Sequence, residues 1–111
     1  MQTVKIKPLS VNQAWKGKRY KTDEYKRFER KMLMLLPKLE VPAGKLRLII
    51  ILGLSNKNAD WDNPIKPLQD ILQKKYGFND KMVYLGIVYK VDVKKGDEFI
   101  KFDLSSYEYE F

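Results

Sequence analysis

Lys45-Leu46-Arg47-Leu48-Ile49-Ile50-Ile51-Leu52 is the stretch whose reading decides the fold. Leu46, Leu48, Ile50 and Leu52 share one face of an extended chain, and Ile49 and Ile51 make the other face apolar as well. Such a run, bounded by turn formers, reads as a strand, and a strand apolar on both faces belongs in the middle of its sheet. Val41-Pro42-Ala43-Gly44 forms a turn before it, and Gly53 to Ala59 a polar loop after it.

Toward the C-terminus, Asn63 is a helix N-cap candidate with Pro64 at the first helical position. Ile65, Leu68, Ile71 and Leu72 supply the apolar face, and Gly77 the stop. The missing N–H of Pro67 predicts an irregular first turn. Phe78-Asn79-Asp80-Lys81 reads as a second turn. Met82 to Val93 then alternates, with Val83, Leu85, Ile87, Tyr89, Val91 and Val93 on one face. Lys94-Lys95-Gly96-Asp97 is a hairpin signal, and Glu98 to Leu104 the returning strand, with Ile100, Phe102 and Leu104 on its apolar side. Tyr107 to Phe111 is acidic and aromatic.

Toward the N-terminus, Thr22 caps a helix whose first turn carries Asp23 and Glu24, where the helix dipole favours negative charge. Tyr25, Phe28, Met32 and Leu35 form its apolar face, Lys26, Arg27, Arg30 and Lys31 crowd the other side, and Pro37 ends it. Pro8 to Tyr20 is a loop of turn formers, aromatics and cations, and Val4 and Ile6 mark a short first strand. The order strand–helix–strand–helix–hairpin predicts an α+β fold: a mixed β-sheet with two helices, one domain over residues 1–111.

Composition narrows the chemistry. The 111 residues include no Cys and no His, which excludes thiolate nucleophiles, imidazole acid–base catalysis and Cys-based zinc sites. Carboxylates, lysines, hydroxyls or a bound cofactor remain, and oxygen donors suit Mg²⁺, Mn²⁺ or Ca²⁺. The net charge is +8, unevenly spread: residues 1–31 hold ten Lys/Arg against three Asp/Glu, and residues 97–111 one against five. A basic front half is the electrostatic footprint of a phosphate-binding protein, though a solvated surface explains it equally well. Apolar runs such as Leu48 to Leu52 are too short to span a bilayer. The opening residues lack a signal-peptide core. The expectation is a cytoplasmic protein.

Asp60 and Asp62 are two residues apart, so in an extended segment both carboxylates point to the same side. Two converging carboxylates favour a cation between them, and such an ion can activate water and steady a phosphate under attack. Alone, D-x-D is a weak signal, because Asp is common in turns. Trp61 between the acids reads as a core or lid residue. Lys66 falls one helical turn after Asp62 and can face the same site, or be a plain surface lysine. Asp80 lies past the next helix, where the return of the chain could bring it back to the pair, or be a turn residue.

Asp60-Trp61-Asp62-Asn63, then Lys66, then Asp80-Lys81-Met82-Val83 together resemble the RusA-type Holliday junction resolvases, a family common in phages and prophages. Pro8, Ser10, Asn12, Arg19 and Tyr20 echo the family's N-terminal part, and the resemblance runs from about residue 3 to about residue 104. It implies a bacterial homodimer of mixed α/β fold that binds Mg²⁺ or Mn²⁺ through Asp60, Asp62 and Asp80. It also implies paired nicks across a four-way DNA junction in recombination or repair, with Lys66 as a catalytic or phosphate-contacting lysine. The loop cations Lys16, Lys18, Arg19 and Lys21 are expected on the DNA backbone beside Asn12, with Trp15 or Tyr20 stacking on a base. The alternative is a small basic DNA-binding module without catalytic activity, its aspartates serving as loop caps.

Overall fold

The computed structural model describes residues 1–9, 15–16 and 20–108, with Trp15, Lys16 and Tyr20 described by their backbone alone. The strands are β1 (Gln2–Val4), β2 (Trp15–Lys16), β3 (Tyr20–Lys21), β4 (Leu46–Leu54), β5 (Val83–Asp92) and β6 (Phe99–Ser106). Helices α1 (Asp23–Leu35) and α2 (Ile65–Tyr76) complete the α+β fold, with a 3₁₀ turn at Asp80–Met82 before β5. Four strands form one mixed sheet in the order β1-β6-β4-β5, and β2 and β3 form a separate two-stranded pair. β4 is central, as its sequence demands, with β5 parallel on one edge and β6 antiparallel on the other.

Leu48, Ile50 and Leu52 of β4 join Val4, Ile100 and Phe102 in one buried layer. Tyr25, Phe28 and Met32 of α1 and Leu68, Ile71 and Leu72 of α2 close over it. Each such aliphatic or aromatic side chain contributes about 1.5–3 kcal/mol on burial. The Thr22 cap, whose Oγ1 accepts from Tyr25 N at 3.0 Å, contributes about 1 kcal/mol. Packing therefore holds α1 in place, and the cap sets where it starts. Leu36 rather than Leu35 completes the α1 face: Leu36 is 4% exposed and Leu35 45%. The chain leaves helical geometry at Leu36, which turns that side chain inward.

α2 starts one residue later than its sequence suggests. Pro64 takes the cap position without a side-chain cap bond, and Ile65 N donates to Asp62 O at 3.1 Å. Pro67 thus falls in the first turn, where an amide has no intrahelical acceptor to lose. Gly77 ends α2 at φ 73°, its N–H donating to Gln73 O at 2.8 Å, a left-handed conformation that glycine adopts without steric cost.

The hairpin expectation fails. Lys94–Asp97 does turn, with Asp97 N donating to Lys94 O at 2.9 Å, but β5 and β6 are not neighbours, because β4 lies between them. Residues 93–98 cross two strand spacings, about 10 Å, over the carboxyl end of β4, where Val93 N donates to Leu54 O at 3.0 Å. A tight turn fixes a reversal of direction; the preference of doubly apolar β4 for the centre decides which strands pair.

The alternating row of β5 faces away from the helices. Leu85, Ile87, Tyr89 and Val91 register with Arg47, Ile49, Ile51 and Gly53 of β4, and these with Ser105, Asp103, Lys101 and Phe99 of β6. None of these side chains belongs to the buried cluster. Val83 is separated from the row by a register shift and packs against the core instead. No helix among the described residues is long and apolar enough to cross a membrane.

Candidate metal and nucleic-acid site

Residues 55–64 run from the carboxyl end of β4 to α2 and carry the first two aspartates. Ala59 packs against the core and Pro64 is buried, and polar contacts hold the backbone between. Lys90 Nζ, from β5, donates to Lys57 O at 3.0 Å and to Ala59 O at 2.9 Å. Asn58 N donates to Asn56 Oδ1 at 3.0 Å, and Ala59 N to Asn56 O at 3.1 Å. Ser55 Oγ donates to Glu98 Oε2 at 2.7 Å, tying the loop to the 93–98 crossing.

The segment around the aspartates is a run of bends and turns, not the extended chain expected. Asp60 Oδ2 accepts from Asn63 Nδ2 at 3.2 Å, so Asn63 braces the turn instead of capping α2. The alternation rule that would aim both carboxylates to one side does not apply to such a turn. Asp60, Trp61 and Asp62 are all exposed, and Trp61, at 57%, is not a core residue. Asp60 lines a cleft of about 340 Å³ with Lys7, Pro8, Ser55, Asn56 and Glu98.

Asp80 does not return to the pair within one chain. β5 is parallel to β4, with Leu46 opposite Val83 and Leu54 opposite Asp92. A helical crossover between parallel strands carries the chain from the carboxyl end of one to the amino end of the next. Asp80 therefore stands beside the start of β4, while Asp60 and Asp62 follow its end. The eight residue steps of β4 span about 26 Å at about 3.3 Å each, whereas ligands of one Mg²⁺ sit about 2.1 Å from the ion. Among the described residues no three carboxylates gather closely enough to hold a metal. Lys66 Nζ pairs with Asp70 Oδ1 at 3.1 Å on the exposed side of α2.

Of the loop residues expected on DNA, Asn12, Lys18 and Arg19 lie outside the described residues, and Trp15 and Lys16 are described by backbone alone in β2. Lys21 is engaged: its Nζ meets Glu29 Oε2 at 2.8 Å and lies 4.9 Å from the Tyr25 ring centre. Lys26, Arg27, Arg30 and Lys31, spaced along the outer side of α1, form no ion pair among the described residues and are all exposed. Arg27 and Lys31 line a shallow groove with Lys7 and Pro8, and both Lys7 and Pro8 also border the Asp60 cleft. This basic track was legible in the 26, 27, 30, 31 spacing. Lys90 and Glu98 were not, because their roles depend on which strands are neighbours.

Burial pushes the Glu29 carboxyl up, but hydrogen bonds from Lys21 and Lys74 outweigh it and hold the group below the usual carboxylate range. The Ser55 hydroxyl first, then the backbone N–H groups of Glu98 itself and of Gly96, hold Glu98 low as well. Burial, with Asp70 and Glu29 nearby, pushes the Tyr25 phenol up to about 12. Tyr25 is therefore protonated at neutral pH and is no general base. No protein-family model matches the chain, and no curated protein matches it.

Proposed function

We propose that this chain is a RusA-type, divalent-metal-dependent endodeoxyribonuclease that resolves four-way DNA junctions by paired phosphodiester hydrolysis, acting as a homodimer in recombination or repair. The observation that carries the reading is the Asp60 cleft at the carboxyl end of the central strand, in a chain without His or Cys. Open sheets with parallel strands tend to bind ligands at that end. The donor chemistry fits a hard cation: Asp60, Asp62 and Asp80 are exposed carboxylates with no ion-pair partner among the described residues.

In this reading Asp60, Asp62 and Asp80 would hold Mg²⁺ or Mn²⁺, with Asp80 supplied by the second copy of the homodimer, since within one chain it lies at the opposite end of β4. When bound, the ion supplies acidity to a coordinated water and positive charge beside the phosphate. Lys66 adds charge-assisted hydrogen bonds to a phosphate oxygen. Its exposed pairing with Asp70, four residues on, is worth at most about 0.5 kcal/mol, so the ammonium is released to substrate at small cost. Lys90 fixes the loop that presents Asp60, and Lys7 adds a cation at the cleft mouth. The cations of α1 lead a phosphodiester backbone toward the cleft.

The second reading, a basic DNA-binding module that does not cut, is favoured by one observation: no three carboxylates gather among the described residues. A synthetic four-way junction and a linear duplex, each incubated with and without Mg²⁺, separate the two. Paired nicks in the junction alone, only with Mg²⁺, are expected. Binding without any cleavage selects the module, and equal cleavage of both substrates selects an unselective nuclease.

A further inference from the structure

Trp61 takes no part in bracing the loop that carries it. Lys90, Ser55, Asn56 and Asn63 make the contacts that hold the loop. The indole is 57% exposed and lies outside the buried cluster. Among the described residues no ring contact or cation engages it. The exposed Tyr84 differs, since its ring stacks on Tyr107 at 6.0 Å and carries Lys45 Nζ at 4.8 Å. Tryptophan offers one of the largest apolar areas of any side chain. Its few rotatable bonds mean that little entropy is lost when a ligand covers it.

The surroundings indicate the kind of ligand. Lys57 and Lys66, on either side of Trp61 in the chain, are both exposed. Lys7 borders the Asp60 cleft and, with Arg27 and Lys31, the neighbouring groove. Cations that track a phosphate backbone, together with an aromatic ring on which a base stacks, are the two parts of a single-strand binding surface. The immediate neighbours of the ring, Asp60 and Asp62, are carboxylates without ion-pair partners among the described residues. They repel a phosphate that comes without a cation, so the group suited to the ring itself is the neutral face of a base.

A base inside an intact duplex has both faces covered and must be unstacked, at a cost, before it can meet a side chain. At a branch point the stack is already interrupted. We infer that Trp61 is a specificity-determining contact whose ring stacks on a base exposed at a DNA branch point, favouring branched over linear DNA. The inference rests on the DNA-binding part of the nuclease reading and does not require cleavage.

The test uses the full chain without divalent metal, so that binding is read apart from cutting. The chain has two tryptophans, and in a Trp15→Phe background Trp61 is the sole indole emitter. Its emission is followed as a synthetic four-way junction, or a linear duplex of the same arm sequence, is added. Quenching by the junction and not by the duplex is expected, because stacking on a base quenches indole emission. In parallel, Trp61→Ala should weaken junction binding by about tenfold or more. Trp61→Phe should keep most of the affinity, and duplex binding should change little in either variant. Should Trp61→Ala fail to fold, the Trp61 emission decides alone. Emission untouched by the junction, or quenched equally by duplex, overturns the inference. Emission that shifts with protein concentration but not with DNA places the ring against a second copy and overturns it too. Mg²⁺-dependent nicking by a wild type whose Trp61 is not quenched leaves the nuclease reading standing without this contact. Junction-selective quenching without any nicking does the reverse.

Discussion

On one face of the sheet Leu48, Ile50, Leu52, Ile100 and Phe102 are at most 5% exposed beneath α1 and α2, whereas on the other Tyr89 and Val91 are 55% and 41% exposed. β4 carries aliphatic side chains on both faces, Leu48, Ile50 and Leu52 on one and Ile49 and Ile51 on the other. Alternation along a strand therefore reports that two faces exist and how apolar each is. It does not report which one a helix will cover. Here the decision lies in the helices: two amphipathic stripes are enough for one face and leave the second free to meet something else.

Substitutions can break or sharpen that contrast. The largest effect is expected from Phe102→Ala on the covered face, about 3–5 kcal/mol of stability by chemical denaturation, since the cavity left in a packed core cannot fully collapse. On the free face Gly53 is the exception to looseness, because a Cβ there would collide with the Phe99 ring. Gly53→Ala should cost about 1–3 kcal/mol unless that ring swings away, in which case the loss shrinks. A near-neutral result would mean that this face carries no packing constraint.

A smaller effect tests the polar clasp beside the covered face, where Glu29 bonds Lys21 at 2.8 Å and Lys74 at 3.2 Å. The Glu29 carboxyl is held low in the folded chain, so its contribution is present above the ordinary carboxylate value of 4.5 and fades as pH falls below it. Glu29→Gln should lower stability at pH 7 by about 1 kcal/mol or less and lose that part of the acid-side slope. Equal slopes for both proteins would remove the clasp from the explanation. The smallest effect belongs to Tyr89→Ser, within about 0.5 kcal/mol by chemical denaturation, since that side chain is 55% exposed.

Much of this fold was legible. The run from Leu46 to Leu52 announced a central strand, the 25, 28, 32 spacing announced α1, and Gly77 announced the end of α2. What escaped were choices made by neighbours rather than by local sequence. Lys94–Asp97 was a true turn, yet the strands flanking it do not pair. Leu35 and Leu36 were equally apolar, and the end of α1 decided between them. The candidate site could be named from sequence as a set of residues, but its arrangement could not. Asp60 and Asp62 sit in a turn that no period describes, and Asp80 is sent to the far end of the sheet by the parallel pairing of β4 and β5. Lys90 and Glu98, which brace the Asp60 loop, had no sequence signal at all.

The aspartates are where the reading is most exposed to test. Asp60→Asn, Asp62→Asn and Asp80→Asn, each assayed separately, should slow Mg²⁺-dependent nicking of a four-way junction by more than about a hundredfold, with junction affinity in the absence of metal little changed. Full nicking by any one of the three, or loss of binding in step with loss of cleavage, would contradict a metal centre built from these carboxylates.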